Sequence, residues 1–221
     1  DPWGAQTGGS KVYGRGTTDD KGPALCALYA MRAVRDAGIP LKDGVRLILG
    51  CDEETGMSDM RYYASQTKMP DYGFSPDAEF PVINIEKGGL GLLISKYTGG
   101  EGSGELAVRS LTAGERCNVV PGIAKAVLSV SDMDGFRKNV EKVAQAKNFK
   151  LTVSDLGDGS AELTAEGVSA HASMPHLGVN AAGMLLIALK ELGAGCASRE
   201  AIAALADKIG LEYDGASIGI K

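Results

Sequence analysis

The chain has 221 residues, a net charge of −5 and 44% hydrophobic residues, which suits one large folded domain or two small ones and argues against disorder. It has no basic run, so nucleic acid is not an expected partner, and no apolar stretch approaches the roughly 20 residues that span a bilayer. The four cysteines are far apart and lack metal-knuckle spacing, a pattern typical of a reduced cytosolic protein.

The first 87 residues alternate predicted strands and helices. Pro23 predicts the start of one helix, because proline is tolerated in a first turn, and Ser58 is a suitable N-cap for another. The mainly apolar residues 45–51 predict a strand covered on both faces. The predicted strands are 11–14, 45–51, 72–74 and 82–85, and the predicted helices are 22–37 and 58–66. This alternation favours a doubly wound α/β sheet.

From about residue 88 the pattern changes to several strands with fewer helices. A turn-rich stretch at 156–159 predicts a hairpin between two of the strands. The predicted strands are 90–97, 104–112, 123–130, 150–154 and 160–166, and the predicted helices are 133–146, 180–192 and 199–209. This mixture indicates an α+β domain. We therefore divide the chain into domains of residues 1–87 and 88–221.

Three acidic clusters follow the carboxyl ends of predicted strands in the first domain. They are Asp19-Asp20, residues 52–54 (Asp-Glu-Glu) and residues 77–79 (Asp-Ala-Glu). Ligands of an open α/β sheet bind outside that edge, so these carboxylates are expected to converge. Converging carboxylates cannot all stay ionised without a counter-charge, and a divalent metal supplies one. The sequence therefore predicts a metal site.

Each of these signals also has an ordinary structural interpretation. An acidic triplet after a strand is commonly a solvated loop, Asp19-Asp20 fits a helix cap, and Asp77 after a proline fits a turn. His171 at a strand–helix junction fits a structural hydrogen-bonding role, and Asn118 fits a turn or cap. Only their shared arrangement raises the functional interpretation above these alternatives.

Five segments together resemble the ArgE/DapE/PepV metallopeptidases, which are dinuclear zinc aminopeptidases, dipeptidases and deacylases. The segments are GRGTTDDKGP at 14–23, DEETG at 52–56, PDAEFP at 76–81, NVVPG at 118–122 and GVSAHAS at 167–173. They occur in the family's order, and the first resembles the PepV and carnosinase dipeptidase branch. The resemblance implies an α/β fold with a partial doubly wound zinc-peptidase catalytic domain at 1–87 and an α+β ferredoxin-like lid domain at 88–221. It also implies hydrolysis of dipeptides or short peptides, which the cysteine pattern would place in the cytoplasm.

The resemblance assigns metal and proton-transfer roles to four carboxylates. Asp19 would bridge two zinc ions, with manganese or cobalt as alternative metals. Glu54 would ligate one ion and Asp77 the other. Glu53 would be the general base that takes a proton from the bridging water. The family typically has a cis peptide bond after the bridging aspartate, so we expect one between Asp19 and Asp20.

The resemblance also assigns two residues of the lid. His171 would contact the scissile carbonyl oxygen as it becomes an oxyanion, and Asn118 would help to bind the substrate. His176 matches no role of the family and is interpreted as a surface residue.

The sequence departs from the family in its histidines. The family has two further metal-ligating histidines, whereas both histidines of this chain lie in or beside the lid motif. Each zinc would then have about two protein ligands instead of three, so we expect weak zinc binding and no activity from this chain by itself. Because it starts at Asp1 and ends on strand-like residues, we also expect an internal fragment that self-associates through the lid or exposed sheet edges.

Two other functions fit the same residues. One is an N-acyl amino acid deacylase of the same family, which would differ in a lid arginine and a pocket expected beyond residue 221. The other is a non-catalytic binding module that reuses the fold.

Overall fold

The computed structural model describes residues 2–77, 81–85, 87, 88, 91, 93, 95, 106–195 and 199–219. The chain divides into two compact units, Asp1–Gly88 and Gly89–Lys221. Within the described ranges, no helix combines the length and the apolar character that a membrane span requires.

The first unit contains a short hairpin and two helices. Its elements are β1 (Gln6–Gly8), β2 (Lys11–Tyr13), α1 (Lys21–Asp36), a 3-10 turn (Glu53–Thr55) and α2 (Ser58–Gln66). β1 and β2 pair antiparallel, with Thr7 opposite Val12. Both predicted helices and the predicted strand at 11–14 are thus confirmed. Neither helix has a buried residue.

Three strands predicted in the first unit are not formed. Residues 45–51, 72–74 and 82–85 make no ladder with any described residue, and the side chains of Leu49 and Phe74 are 70% and 89% exposed. An apolar run favours extended backbone, but a strand requires a neighbour that pairs with its N–H and C=O groups. No doubly wound parallel sheet is therefore found among the described residues, whose ladders are all antiparallel.

The second unit is built on a four-stranded antiparallel sheet with the strand order β3-β4-β6-β5. Its elements are β3 (Leu106–Ala113), β4 (Ile123–Val130), α3 (Met133–Lys147), β5 (Lys150–Gly157), β6 (Ser160–Glu166), a 3-10 turn (Pro175–Leu177), α4 (Ala181–Glu191), α5 (Arg199–Lys208) and a 3-10 turn (Ala216–Ile218). These elements match the predicted ones closely. The strand predicted at 90–97 lies largely outside the described residues.

The core of the second unit lies between this sheet and the helices α3 and α4. Alternate residues of β4 and β6 point inward, as the two-residue period of a strand requires, and α4 buries one face against them. The buried cluster consists of Ala124, Ala126, Leu128, Val130, Phe136, Val140, Ala161, Leu163, Ala165, Ala181, Met184, Leu185, Leu189 and Ala194. This unit is an α+β sandwich, whereas its action as a lid remains a prediction.

Side-chain caps fix the starts of both core helices. The carboxylate of Asp132 accepts a hydrogen bond from the Gly135 backbone N–H before α3. The side chain of Asn180 accepts bonds from the N–H groups of Ala182 and Gly183 before α4. These acceptors satisfy N–H groups that the first turn of a helix leaves unpaired, and the second one anchors the end of the loop that carries His171.

Candidate functional site

The loop from Gly14 to Lys21 carries the first predicted site residues and is closed by backbone hydrogen bonds. The N–H of Lys21 donates to the Gly16 carbonyl oxygen at 2.8 Å, and the Thr17 hydroxyl donates to the Gly14 carbonyl oxygen at 3.0 Å. A Cβ on Gly22 would lie only 2.3 Å from the Thr17 carbonyl oxygen. The glycine therefore allows the loop to fold back against the start of α1.

Asp19 and Asp20 lie at the end of this loop, and the peptide bond between them is cis, as predicted. Asp20 occupies the N-cap position of α1, yet its side chain makes no cap hydrogen bond. Its Oδ1 atom is buried and has no hydrogen-bond partner among the described residues. A buried carboxylate oxygen without a partner is costly, so the helix-cap interpretation does not account for this residue, whereas a cation would.

Glu53 and Glu54 lie on the 3-10 turn that follows residues 45–51, and Asp52 anchors that turn. One oxygen of the Asp52 carboxylate accepts from the Thr55 hydroxyl. The other accepts from the hydroxyl and from the backbone N–H of Ser58, the latter at 2.8 Å. The hydrogen bonds from Ser58 lower the pKa of Asp52. Asp52 is therefore an ionised acceptor that shapes the turn, which agrees with a supporting role.

Asp59 anchors the same turn from the first turn of α2. Its Oδ2 accepts from the backbone N–H groups of Cys51 and Asp52. Its Oδ1 accepts from the Met60 N–H at 2.7 Å. The bond from the Cys51 N–H is the main cause that lowers the pKa of Asp59, and the resulting negative charge raises the pKa of the Cys51 thiol. Two carboxylates thus clamp the two sides of the Glu53–Glu54 turn.

Asp77 connects the three acidic segments electrostatically. The pKa of Asp77 is raised, first because desolvation disfavours its charged form, and then because the carboxylates of Asp19, Asp20 and Glu54 repel it. Carboxylates of the other two acidic segments therefore lie close enough to Asp77 to disfavour its charged form. A bound cation would relieve this repulsion.

The negative charge of these residues fits a metal ion, but their arrangement does not complete a coordination shell. The unpartnered Oδ1 of Asp20 and the raised pKa of Asp77 both fit a bound divalent ion. Among the residues that the structure describes, however, no group of three or more His, Cys, Asp or Glu side chains is arranged to hold a metal ion. The carboxylates are therefore near one another without forming a finished coordination shell.

Asn118 and His171 come together in the second unit. Val119 and His171 form an antiparallel bridge. On either side of it, the Ala172 N–H donates to the Asn118 carbonyl oxygen, and the Val120 N–H donates to the Ala170 carbonyl oxygen, both at 2.8 Å. The two segments that the sequence singles out are thus neighbours. A Cβ on Gly122 would lie 2.3 Å from the Ser169 hydroxyl oxygen, which explains the glycine in this approach.

The imidazole of His171 forms hydrogen bonds with Ser173, two positions later in the chain. Its Nδ1 lies 2.7 Å from the Ser173 hydroxyl oxygen and accepts from the Ser173 backbone N–H at 3.2 Å. The His176 ring instead packs against the Tyr213 ring, with the ring centres 6.4 Å apart. This contact agrees with the surface interpretation of His176.

A cavity lies beside the candidate residues of each unit. In the first unit a cavity of about 590 Å³ is lined by residues 13–19, including Asp19. In the second unit a cavity of about 490 Å³ is lined by residues that include Arg116, Val119 and Ser169.

Two residues of these sites, Asp59 and Ser173, were not singled out from the sequence. Asp20 was part of a predicted acidic cluster but was given no role of its own. The only available signal was position, because Asp59 follows the acidic triplet at a helix start and Ser173 lies two residues after His171. Their contacts depend on the folded backbone.

Comparisons with known proteins agree on one family. A profile described as peptidase family M20/M25/M40 matches residues 1–204. The putative dipeptidase YtjP of Bacillus subtilis is 32% identical over 226 residues, covering 100% of this chain and 48% of that protein. The Beta-Ala-Xaa dipeptidase of Lactobacillus delbrueckii is 32% identical over 210 residues, covering 95% of this chain and 44% of that protein. A putative dipeptidase of Staphylococcus aureus strain USA300 is 35% identical over 189 residues, covering 82% of this chain and 39% of that protein. The chain spans about half the length, or less, of these relatives.

Proposed function

The chain belongs to peptidase family M20/M25/M40, and from this premise we propose that it acts in the metal-dependent hydrolysis of dipeptides. The relatives named dipeptidases support the substrate class. The observation that carries the proposal is the buried Oδ1 of Asp20, which has no hydrogen-bond partner among the described residues and which a cation would satisfy. The raised pKa of Asp77, caused first by desolvation and then by Asp19, Asp20 and Glu54, agrees with a cation at the same place.

We propose zinc as the metal, two ions per complete site, with manganese or cobalt as alternatives. Asp19 would hold both ions, Glu54 one and Asp77 the other. Bound metal would acidify a water and polarise the scissile carbonyl. The unpartnered oxygen of Asp20 supports a cation close to the start of α1.

The other proposed roles belong to residues that do not ligate the metal. Glu53 would take the proton from the attacking water and pass it to the leaving amine. Asp52 and Asp59 hold the backbone of the turn that carries Glu53. In the second unit, His171 would donate a hydrogen bond to the substrate oxygen and Asn118 would help to orient the substrate.

This chain by itself should be a weak zinc binder without activity. It supplies three proposed carboxylate ligands for two ions, and neither of its histidines is a proposed ligand. Catalytic zinc ions usually have three protein ligands each. Partners beyond the peptide substrate would be further copies of the chain, through the lid or exposed sheet edges. The three described cysteines are free thiols, which supports a cytoplasmic location.

The test is hydrolysis by the full-length gene product loaded with zinc, assayed on a panel of dipeptides and N-acyl amino acids. We expect dipeptides to be cleaved, and Glu53→Gln to lower kcat by about 10²- to 10⁴-fold, as expected for a general base. Glu141→Gln on the exposed face of α3 is the matched control and should keep full activity. Cleavage of N-acyl amino acids alone would indicate the deacylase, and cleavage of neither would indicate a binding module.

A further inference from the structure

The backbone N–H of Ser173 determines what the imidazole of His171 can do. This N–H lies 3.2 Å from Nδ1 and points at it, and the Ser173 hydroxyl oxygen lies 2.7 Å from the same nitrogen. A hydroxyl is either donor or acceptor, but a backbone N–H can only donate. The contact is therefore possible only while Nδ1 carries a lone pair.

A neutral imidazole has one proton, and this contact places it on Nε2. If Nδ1 carried the proton instead, two hydrogens would face each other across the 3.2 Å contact. The arrangement resembles an Asx turn, in which a side-chain acceptor bonds the backbone two residues on. Here the acceptor is a ring nitrogen, so the turn also selects a tautomer.

The backbone around His171 is held on both sides of the ring. Val119 bridges His171, the Ala172 N–H donates to the Asn118 carbonyl oxygen at 2.8 Å, and the Met174 N–H donates to the His171 carbonyl oxygen at 2.9 Å. The imidazole itself is exposed, and Nε2 has no hydrogen-bond partner within the described part of the chain. A donor fixed in this way is ready for an acceptor before the ligand arrives.

We infer that Ser173 is a positioning residue, whose backbone N–H holds neutral His171 as the Nε2–H tautomer and so presents one N–H donor to a ligand oxygen. The ligand chemistry it fits is a carbonyl or carboxylate oxygen, such as that of a peptide. The ligand class rests on the proposed function, whereas the tautomer rests only on the geometry of residues 118–120 and 170–174.

The test is the nitrogen-15 NMR spectrum of the two imidazoles in the 221-residue chain. It is recorded at about pH 8.5, where an imidazole with an ordinary pKa of about 6.5 is neutral. We expect the His171 Nδ1 to resonate as an unprotonated ring nitrogen and Nε2 as a protonated one. His176 is the internal comparison, since its ring has a described contact only with Tyr213 and should show averaged shifts of two exchanging tautomers. Equal averaged shifts for both rings, or a protonated Nδ1 in His171, would overturn the inference.

Two variants separate the backbone N–H from the hydroxyl. Ser173→Ala keeps the N–H, so the His171 shifts should stay as in the wild type; a move to averaged values would refute the assignment to the N–H. Ser173→Pro removes the N–H and should move the His171 shifts to averaged values like those of His176. Unchanged His171 shifts in this variant would also refute the assignment to the N–H. If Ser173→Pro does not fold, the wild-type and Ser173→Ala spectra still decide whether His171 has a fixed tautomer that does not depend on the hydroxyl. None of these spectra depends on activity, so a fixed tautomer together with an inactive zinc-loaded full-length gene product would count against the proposed function alone.

Discussion

Asp52, Glu53 and Glu54 are adjacent in sequence but have different surroundings. Both oxygens of Asp52 bond within its own turn, to Thr55 and Ser58, whereas Glu54 contributes to the charge that raises the pKa of Asp77. The apparent excess of negative charge is thus divided. Asp52 is satisfied by local donors, and the two glutamates remain as the side chains proposed to face a metal and a water.

Asp59→Asn tests whether the clamp positions these glutamates. An amide keeps one acceptor oxygen but places an NH₂ group against backbone N–H groups that now bond to Asp59. Since changes in groups that orient ligands typically cost about 10- to 100-fold in metal affinity or activity, we expect losses of that size in the zinc-loaded full-length protein. Zinc titration and dipeptide kinetics measure them, with the exposed Asp43→Asn as the control. Equal zinc affinity and kcat in Asp59→Asn and wild type would show that the clamp is not needed.

Residue roles could be predicted from the sequence only in part. The motif around Asp19 and Asp20 predicted their cis bond, and that prediction is confirmed. The roles of Glu53, His171 and Asn118 stay predictions. The supporting residues Asp59 and Ser173 were missed, because their function lies in bonds to backbone N–H groups whose positions no sequence pattern reveals.

At the scale of elements, strands were predicted accurately where they pair with a neighbouring strand and wrongly where they do not. β4 and β6 have the predicted bounds, since their alternating burial follows the alternation in their sequence. α2 also has its predicted bounds, although it buries no residue. Residues 45–51 have an equally strong apolar pattern, yet no described strand pairs with them. The periodicity of a segment predicts its tendency to form a strand, but the strand forms only if a second segment pairs with it.

Gly183→Ala tests the packing of α4 against the residues that follow α5. A Cβ on Gly183 would lie 1.8 Å from the backbone carbonyl oxygen of Gly210. Alanine is the better helix former, so a small gain would be expected at an open position, but the clash should dominate. We expect a loss of about 1–3 kcal/mol in the free energy of unfolding, measured by urea denaturation. Gly44→Ala, where no atom lies within 4 Å, is the control, and a stabilised Gly183→Ala would contradict the packing.

The ion pair between α3 and α4 gives a pH-dependent contribution of known sign. The hydrogen bond from Lys147, at 2.8 Å, and then its charge lower the pKa of Glu191. A lowered carboxyl pKa stabilises the fold at pH values above the ordinary carboxyl pKa of about 4.3. This contribution is lost as the pH falls through the lowered pKa. Glu191→Gln should therefore reduce the urea midpoint slightly at neutral pH and converge with wild type in acid. Glu141→Gln should leave the urea midpoint unchanged at both pH values. A difference in midpoint between Glu191→Gln and wild type that stays constant across the pH range would contradict the pairing.

At the scale of the whole molecule, the two units differ in how they are held together. Every buried residue of the described chain belongs to the second unit, between Ala107 and Gly210. The first unit carries the proposed metal ligands on loops that are closed mainly by hydrogen bonds and carry unbalanced negative charge. A cation at this position would both stabilise the first unit and supply the proposed chemistry.

Removal of metal from the full-length gene product tests the central claim most directly. The protein is dialysed against a chelator, its metal content is measured, and dipeptide hydrolysis is assayed before and after zinc is restored. We predict that activity disappears with the metal and returns with zinc, and that Glu53→Gln does not recover. Undiminished hydrolysis by protein shown to contain no metal would contradict the account.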